Sequence, residues 1–141
     1  MINYFPTIVD VHLVPIFFIL GFIISLKIKL FISISPKEVS FLYIYHTIFC
    51  LIYFSYSMEI HNDSVFYYRN TFHPDFQNYN FGFGTPFIQS LIQLIVLNLK
   101  SSLLSVFFLF NIIGSLGIIL IYSAFQKLDL DNNLEKFVIL I

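Results

Sequence analysis

Residues Leu103 to Phe125 read LLSVFFLFNIIGSLGIILIYSAF, twenty-three consecutive positions without an Asp, Glu, Lys or Arg. At about 1.5 Å per residue, a helix of that length covers about 35 Å, enough to cross the roughly 30 Å hydrocarbon core of a bilayer. Composition agrees with a membrane setting: 58% of the 141 residues are hydrophobic and 11% charged. Soluble domains carry about 25% charged residues. The mean hydropathy is +0.86. Nineteen Phe and nine Tyr would leave large exposed apolar patches on a soluble core of this size, whereas lipid solvates them.

Two more runs precede this one. Val11 to Leu26 gives 16 residues without a formal charge, about 24 Å of helix. It continues through Lys27 and Lys29 to Ile32, and lysines near a helix end can reach the interface with their ammonium groups. A first span over 11–32 follows, with Pro15 as a candidate kink. Val39 to Met58 gives twenty uncharged residues with Tyr at both ends, the pattern of an interfacial aromatic belt, and forms a second span over 39–58. His46 inside it reads first as a hydrogen-bond partner for a neighbouring helix.

Between the second and third spans, Thr85-Pro86 is a helix start, a hydroxyl cap followed by proline at the first helical position. The helix it opens, 86–99, is too short to cross and suits an interfacial or re-entrant element. Gln89, Gln93 and Lys100 fall along one stripe of it and give a narrow polar face. In the third span Gly114 and Gly117 permit close helix contact. The expected fold is therefore all-α: a polytopic membrane protein with about three transmembrane helices and one short helix in the loop between the last two. A polar connector from Gln126 to Lys136 leads to Phe137-Val138-Ile139-Leu140-Ile141, which looks like the start of a further span and suggests the N-terminal part of a longer protein.

Several function classes drop out. With a net charge of −1 and no basic stripe, nucleic acid is not an expected partner. The single cysteine, Cys50, excludes an internal disulfide and a cysteine metal cluster. The N-terminus lacks the basic region and small-residue cleavage site of a signal peptide. Lys27, Lys29 and Lys37 between the first two spans, with Lys127 and Lys136 after the third, outweigh Arg69 and Lys100 on the other side. By the positive-inside rule the lysine-bearing segments are cytoplasmic, and the loop 59–100 is extracytoplasmic.

That loop contains NDSVFYYRNTFHPDF, residues 62–76, where a largely apolar chain gathers polar chemistry. Asn62 or Asp63 can cap a short helix that His73-Pro74 ends. Asp63, one turn before Tyr67, is either a solvated cap or a carboxylate that accepts a hydroxyl proton or orients a metal. In the second case Arg69 is placed to bind an anionic group. Glu59, His61, His73 and Asp75 match no strong metal-binding spacing, so no cofactor is expected and a divalent cation is unsupported. Asn62-Asp63-Ser64 fits the N-glycosylation triplet, which arises often by chance, and Gly82-Phe83-Gly84 reads as a turn.

The order of DSVFYYR (63–69), GFGTPF (82–87), IQSLIQLI (88–95) and LFNIIGSLGIILIYSAFQK (109–127) resembles the N-terminal part of GT-C type membrane glycosyltransferases. It is also similar to the related polymerases that join repeat units of bacterial surface polysaccharides, such as O-antigen and capsule. The resemblance implies an enzyme of the bacterial inner membrane acting on a polyprenyl-phosphate-linked sugar. It further implies Asp63 as base or positioning carboxylate, Arg69 as phosphate contact, and Tyr67 and Tyr68 as shapers of the acceptor pocket. Two other classes stay open: a small non-catalytic subunit of a larger membrane complex, and a fragment of a transporter. A partner membrane subunit or a C-terminal half fits the first two readings.

Overall fold

The computed structural model describes residues 8–28, 34–73 and 82–127. Five helices account for most of them: α1 (Ile8–Ile28), α2 (Pro36–Ile60), α3 (Asp63–Asn70), α4 (Thr85–Leu99) and α5 (Leu103–Lys127). No strand occurs among the described residues. Helices α1, α2 and α5 are long and apolar enough to cross a membrane, over Val9–Ile28, Pro36–Ile60 and Leu103–Phe125. The last two contain the predicted spans. The first begins earlier than expected, runs without a break through Pro15, and its predicted end falls in 29–33, outside the described residues. The connector after Lys127 and the terminal apolar pentapeptide also lie outside them.

Hydrogen bonds set the register of the bundle. Asp10 of α1 accepts from Ser102 N and Ser105 Oγ at the start of α5, and Gly21 lies against Ile112, so α1 and α5 run parallel. Glu38 of α2 accepts from Tyr122 Oη at 3.3 Å, and Cys50 Sγ donates to Phe107 O at 3.4 Å. Helix α2 therefore runs antiparallel to both. One end of the bundle carries Lys27 and Lys37, the other carries α3, α4 and the N-termini of α1 and α5.

Local chemistry explains the helix ends. Ser35 and Glu38 form a reciprocal capping box ahead of Pro36, satisfying two of the amides a helix start leaves free. At its other end α2 stops on His61, which sits in the left-handed region with φ 52° and donates its N–H to Ser57 O. This residue turns the chain sharply enough for α3 to begin two residues later. Asn62 is the cap of α3, its Oδ1 accepting from Ser64 N at 3.2 Å. Its amide nitrogen donates to Ser57 Oγ and Tyr53 Oη at 2.9 and 3.0 Å, which ties α3 back onto α2. Thr85 differs from its expected role: it is the first helical residue of α4, and Gly84, at φ 72°, holds the cap position. A residue without a β-carbon adopts that backbone at no steric cost.

Packing separates two clusters. At the α3–α4 end, Val65 and Tyr68 meet Ile92, Val96, Leu103, Val106 and Phe107. At the lysine end, Ile34, Val39 and Leu42 meet Ile119 and Tyr122. Between them the helices approach through small residues, as membrane helices do when lipid offers no hydrophobic drive. A β-carbon at Gly21 would fall 2.5 Å from Tyr43 Oη and 2.7 Å from Ile112 Cγ1. Gly114 is likewise closed, against His46, whereas nothing lies within 4 Å of the β-carbon position at Gly117. Of the two predicted contact glycines, Gly114 fills that role and Gly117 does not.

Helix α4, with fifteen residues, spans about 22 Å and cannot cross the core. Of its polar stripe, Gln89 and Gln93 turn toward the bundle and Lys100 is exposed. Gln93 is 1% exposed and Ser90 is buried, Gln89 is half-buried, and Phe87, Ile88, Leu94 and Leu97 are turned outward. The inward face joins Ser90 and Gln93 to Ile92, Ile95 and Val96, and the outward apolar face suits a helix resting at the lipid boundary, not one in water.

Candidate functional site

Four helices enclose a groove of about 460 Å³ at the α3–α4 end of the bundle, within the range of about 300–1,000 Å³ typical of small-molecule sites. Its walls are mainly aromatic and aliphatic: Phe49 and Tyr53 from α2, Ile88 and Ile92 from α4, Val106, Phe107 and Phe110 from α5. Ring packing stiffens one wall, with Phe107 centred 5.8 Å from Tyr53 and 5.4 Å, edge-on, from Phe54. Polar groups enter at two levels. Asp63, Ser64 and Tyr67 stand at the α3 end, and His46 and Asn111 stand deep between α2 and α5.

The α3 end follows from helical spacing. Asp63 and Tyr67 are four residues apart, so they share a face, and both line the groove. Asp63 is exposed and Tyr67 half-buried. Arg69 and Tyr68 stand elsewhere. Arg69 is exposed in the last turn of α3, and at 3.6 residues per turn it lies about 120° around the helix from Asp63. Tyr68 is 2% exposed, packs inside the cluster with Val65 and Leu103, and donates its hydroxyl to Ser101 O at 3.3 Å. The structure therefore joins Asp63 with Tyr67, sets Arg69 on another face, and gives Tyr68 to the core.

The deep end is a continuous hydrogen-bond chain. Tyr43 Oη donates to Phe18 O across α1 and α2 at 2.8 Å. Thr47 Oγ1 donates to Tyr43 O at 2.8 Å. Asn111 Nδ2 donates to Thr47 Oγ1 at 2.9 Å, and Asn111 Oδ1 meets His46 Nδ1 at 2.7 Å. Asn111 is 1% exposed and Thr47 6%, and the buried polar atoms of both are bonded here, as buried polar groups generally are. Asn111 is the ninth residue of α5, about 12 Å along the helix from its start. The pair therefore sits within the membrane span, and the expected role of His46 as a bridge to a neighbouring helix is met by Asn111.

Sequence reasoning passed over Asp10. Its carboxylate is 1% exposed and receives the Ser102 amide at 3.0 Å together with the Ser105 hydroxyl. A carboxylate at a helix N-terminus satisfies amides that have no intrahelical partner and favours the positive end of the helix dipole. The available signal was the serine-rich start of α5, Ser101, Ser102 and Ser105, since the helix that begins there must find acceptors for its first amides.

Among the described residues, no three of His, Cys, Asp and Glu converge as metal ligands; Asp75 lies outside them. Compared with protein-family models, with curated proteins and with solved structures, the chain matches none.

Proposed function

We propose that this chain is an integral membrane component of bacterial envelope-polysaccharide biosynthesis, resembling the N-terminal part of a glycosyltransferase or repeat-unit polymerase, whose groove receives a polyprenyl-phosphate-linked sugar. The observation that carries this reading is the make-up of the groove: aromatic walls reaching into the membrane span, with Asp63, Ser64 and Tyr67 at one end. Such a site suits an amphiphile. Apolar walls take up apolar surface at about 25 cal/mol per Å², and a few fixed polar groups orient the rest.

In this reading Asp63 accepts or orients a sugar hydroxyl, and Tyr67 beside it adds stacking area and a hydroxyl. Arg69, on another face of α3, would hold phosphate at the rim of the groove, not within it. Tyr68 supports α3 from below. The α3–α4 end faces the extracytoplasmic side of the inner membrane, with Lys27 and Lys37 in the cytoplasm. A partner subunit or a C-terminal half completes the catalytic apparatus.

The test is Asp63→Asn, with surface polymer and the membrane level of the chain measured together. Polymer is expected to fall at least tenfold at unchanged protein level, the scale on which losing a positioned acid–base group acts. Full polymer at normal protein level would remove Asp63 from the chemistry.

A further inference from the structure

The hydrogen-bond chain beneath the groove determines how His46 presents itself. The single hydroxyl proton of Thr47 is donated to Tyr43 O, so toward Asn111 the threonine oxygen can only accept. Asn111 must therefore turn its amide nitrogen to Thr47 and its carbonyl oxygen to His46. That oxygen has no proton to give, so His46 Nδ1 carries one. In the neutral ring Nε2 is then left as an acceptor.

Nε2 has no partner among the described residues, unlike the other polar atoms of this chain of bonds. His46 lines the groove. Its Cε1–Nε2 edge lies over Gly114, where a β-carbon would come within 2.8 Å of both atoms. With no side chain at Gly114, that edge meets only the backbone of α5 there. A pure packing pin between α2 and α5 would need only Nδ1. The geometry supplies in addition an oriented lone pair at the deep end of the groove.

We infer that His46 is a hydrogen-bond acceptor at the deep end of the groove, and that the groove takes a hydroxyl-bearing amphiphile, either a lipid alcohol or a lipid-linked sugar. This rests on the groove as the ligand site of the proposed function, but not on chemistry at Asp63. A lone pair selects for a donor. Carbonyl, ether and ionised phosphate groups offer none, and a hydroxyl meets Nε2 while its carbon framework packs on Phe49, Phe107 and Phe110.

The full chain in phosphatidylcholine nanodiscs tests it with paired probes. One pair is 1-dodecanol and dodecyl methyl ether, the other octyl β-glucoside and its fully O-methylated form. Each pair shares a framework and differs in its donors. The readouts are affinity and the ¹⁵N shift of His46 Nε2, assigned by its loss in His46→Gln. The hydroxylated member of at least one pair is expected to bind about five- to tenfold tighter and to move the Nε2 resonance. His46→Phe should erase that preference, and His46→Gln, with an amide oxygen to accept, should keep part of it. Preference for the glucoside assigns the hydroxyl to a sugar, and preference for dodecanol assigns it to a lipid alcohol; either supports the inference. Equal binding within both pairs with a static Nε2 resonance, or no binding of any probe, overturns it. Because the paired comparison is made on the unsubstituted protein, a folding defect in either variant leaves the test intact. Loss of polymer in Asp63→Asn alongside equal probe binding would overturn this inference and leave the polysaccharide reading standing.

Discussion

The imidazole of His46 rests against the bare Cα of Gly114, so that a β-carbon there would lie 2.8 Å from Cε1 and Nε2. The ring cannot simply swing away, because its Nδ1 is bonded to Asn111 at 2.7 Å, and Asn111 is itself held by Thr47. Gly114→Ala therefore forces either the loss of that bond or a separation of α2 from α5. The alanine gains up to about 1 kcal/mol in helix propensity, while overpacking a fitted contact costs about 1–3 kcal/mol. Net destabilisation is expected. Gly117→Ala, in the same helix with open space around it, should be neutral or slightly stabilising. Unfolding of both variants in parallel checks the sign of each.

Removing the buried carboxylate at Asp10 should be costlier than its position near the chain start suggests. Asp10→Ala strips the acceptor from the Ser102 amide and the Ser105 hydroxyl and leaves both without it where water is scarce. Each orphaned polar group costs about 1–3 kcal/mol. Asp10→Asn keeps one acceptor oxygen and should recover about half of the loss. If Asp10→Ala unfolds like the unsubstituted chain, the contact between α1 and α5 does not depend on this residue.

Adjacent tyrosines on α3 should behave as opposites. Tyr68→Phe removes the bond to Ser101 O and should lower stability by about 1 kcal/mol with little effect on ligand uptake. Tyr67→Phe touches a hydroxyl at the groove wall, so it should alter uptake of a hydroxylated amphiphile at unchanged stability. Measuring uptake and unfolding for both variants separates the pair. Equal effects on the two readouts would mean that α3 acts as one structural unit.

How far these features could be read from the sequence varies with the distance over which each is determined. Long uncharged runs report their own solvent, so the spans around Val39–Met58 and Leu103–Phe125 were legible to within a few residues. The short helix after Gly84 was legible from Pro86 and its length. Its facing was not: Gln89 and Gln93 look like a wet stripe until α3 and α5 are packed against α4. The partner of His46 could be anticipated as a neighbouring helix but not as Asn111, sixty-five residues away. Asp10 was lost for a related reason, since an acid at the edge of an apolar run reads as a chain end in water unless the serines ninety-two and ninety-five residues on are brought to it. Tyr67 and Tyr68 are neighbours in sequence, and only the 100° between them on a helix sends one to the groove and the other to the core.

The opposed ends of α2 give the most direct test of the topology. Lys37 stands exposed at its start, while His73 is exposed beyond the helix that follows its end. The twenty-five residues of α2 separate these levels by about 37 Å of helix, more than the roughly 30 Å hydrocarbon core. Cys50 is the single native thiol, and Cys50→Ser removes it while keeping a donor for Phe107 O. In that background, single cysteines at Lys37→Cys and His73→Cys can be challenged with a membrane-impermeant maleimide. The lysine bias predicts labelling at 73 in intact cells and at 37 only after lysis. The reverse pattern would keep the three spans and invert the protein, placing Asp63 and the groove end in the cytoplasm and removing the extracytoplasmic site. Labelling of both positions in intact cells would mean that α2 does not cross the bilayer.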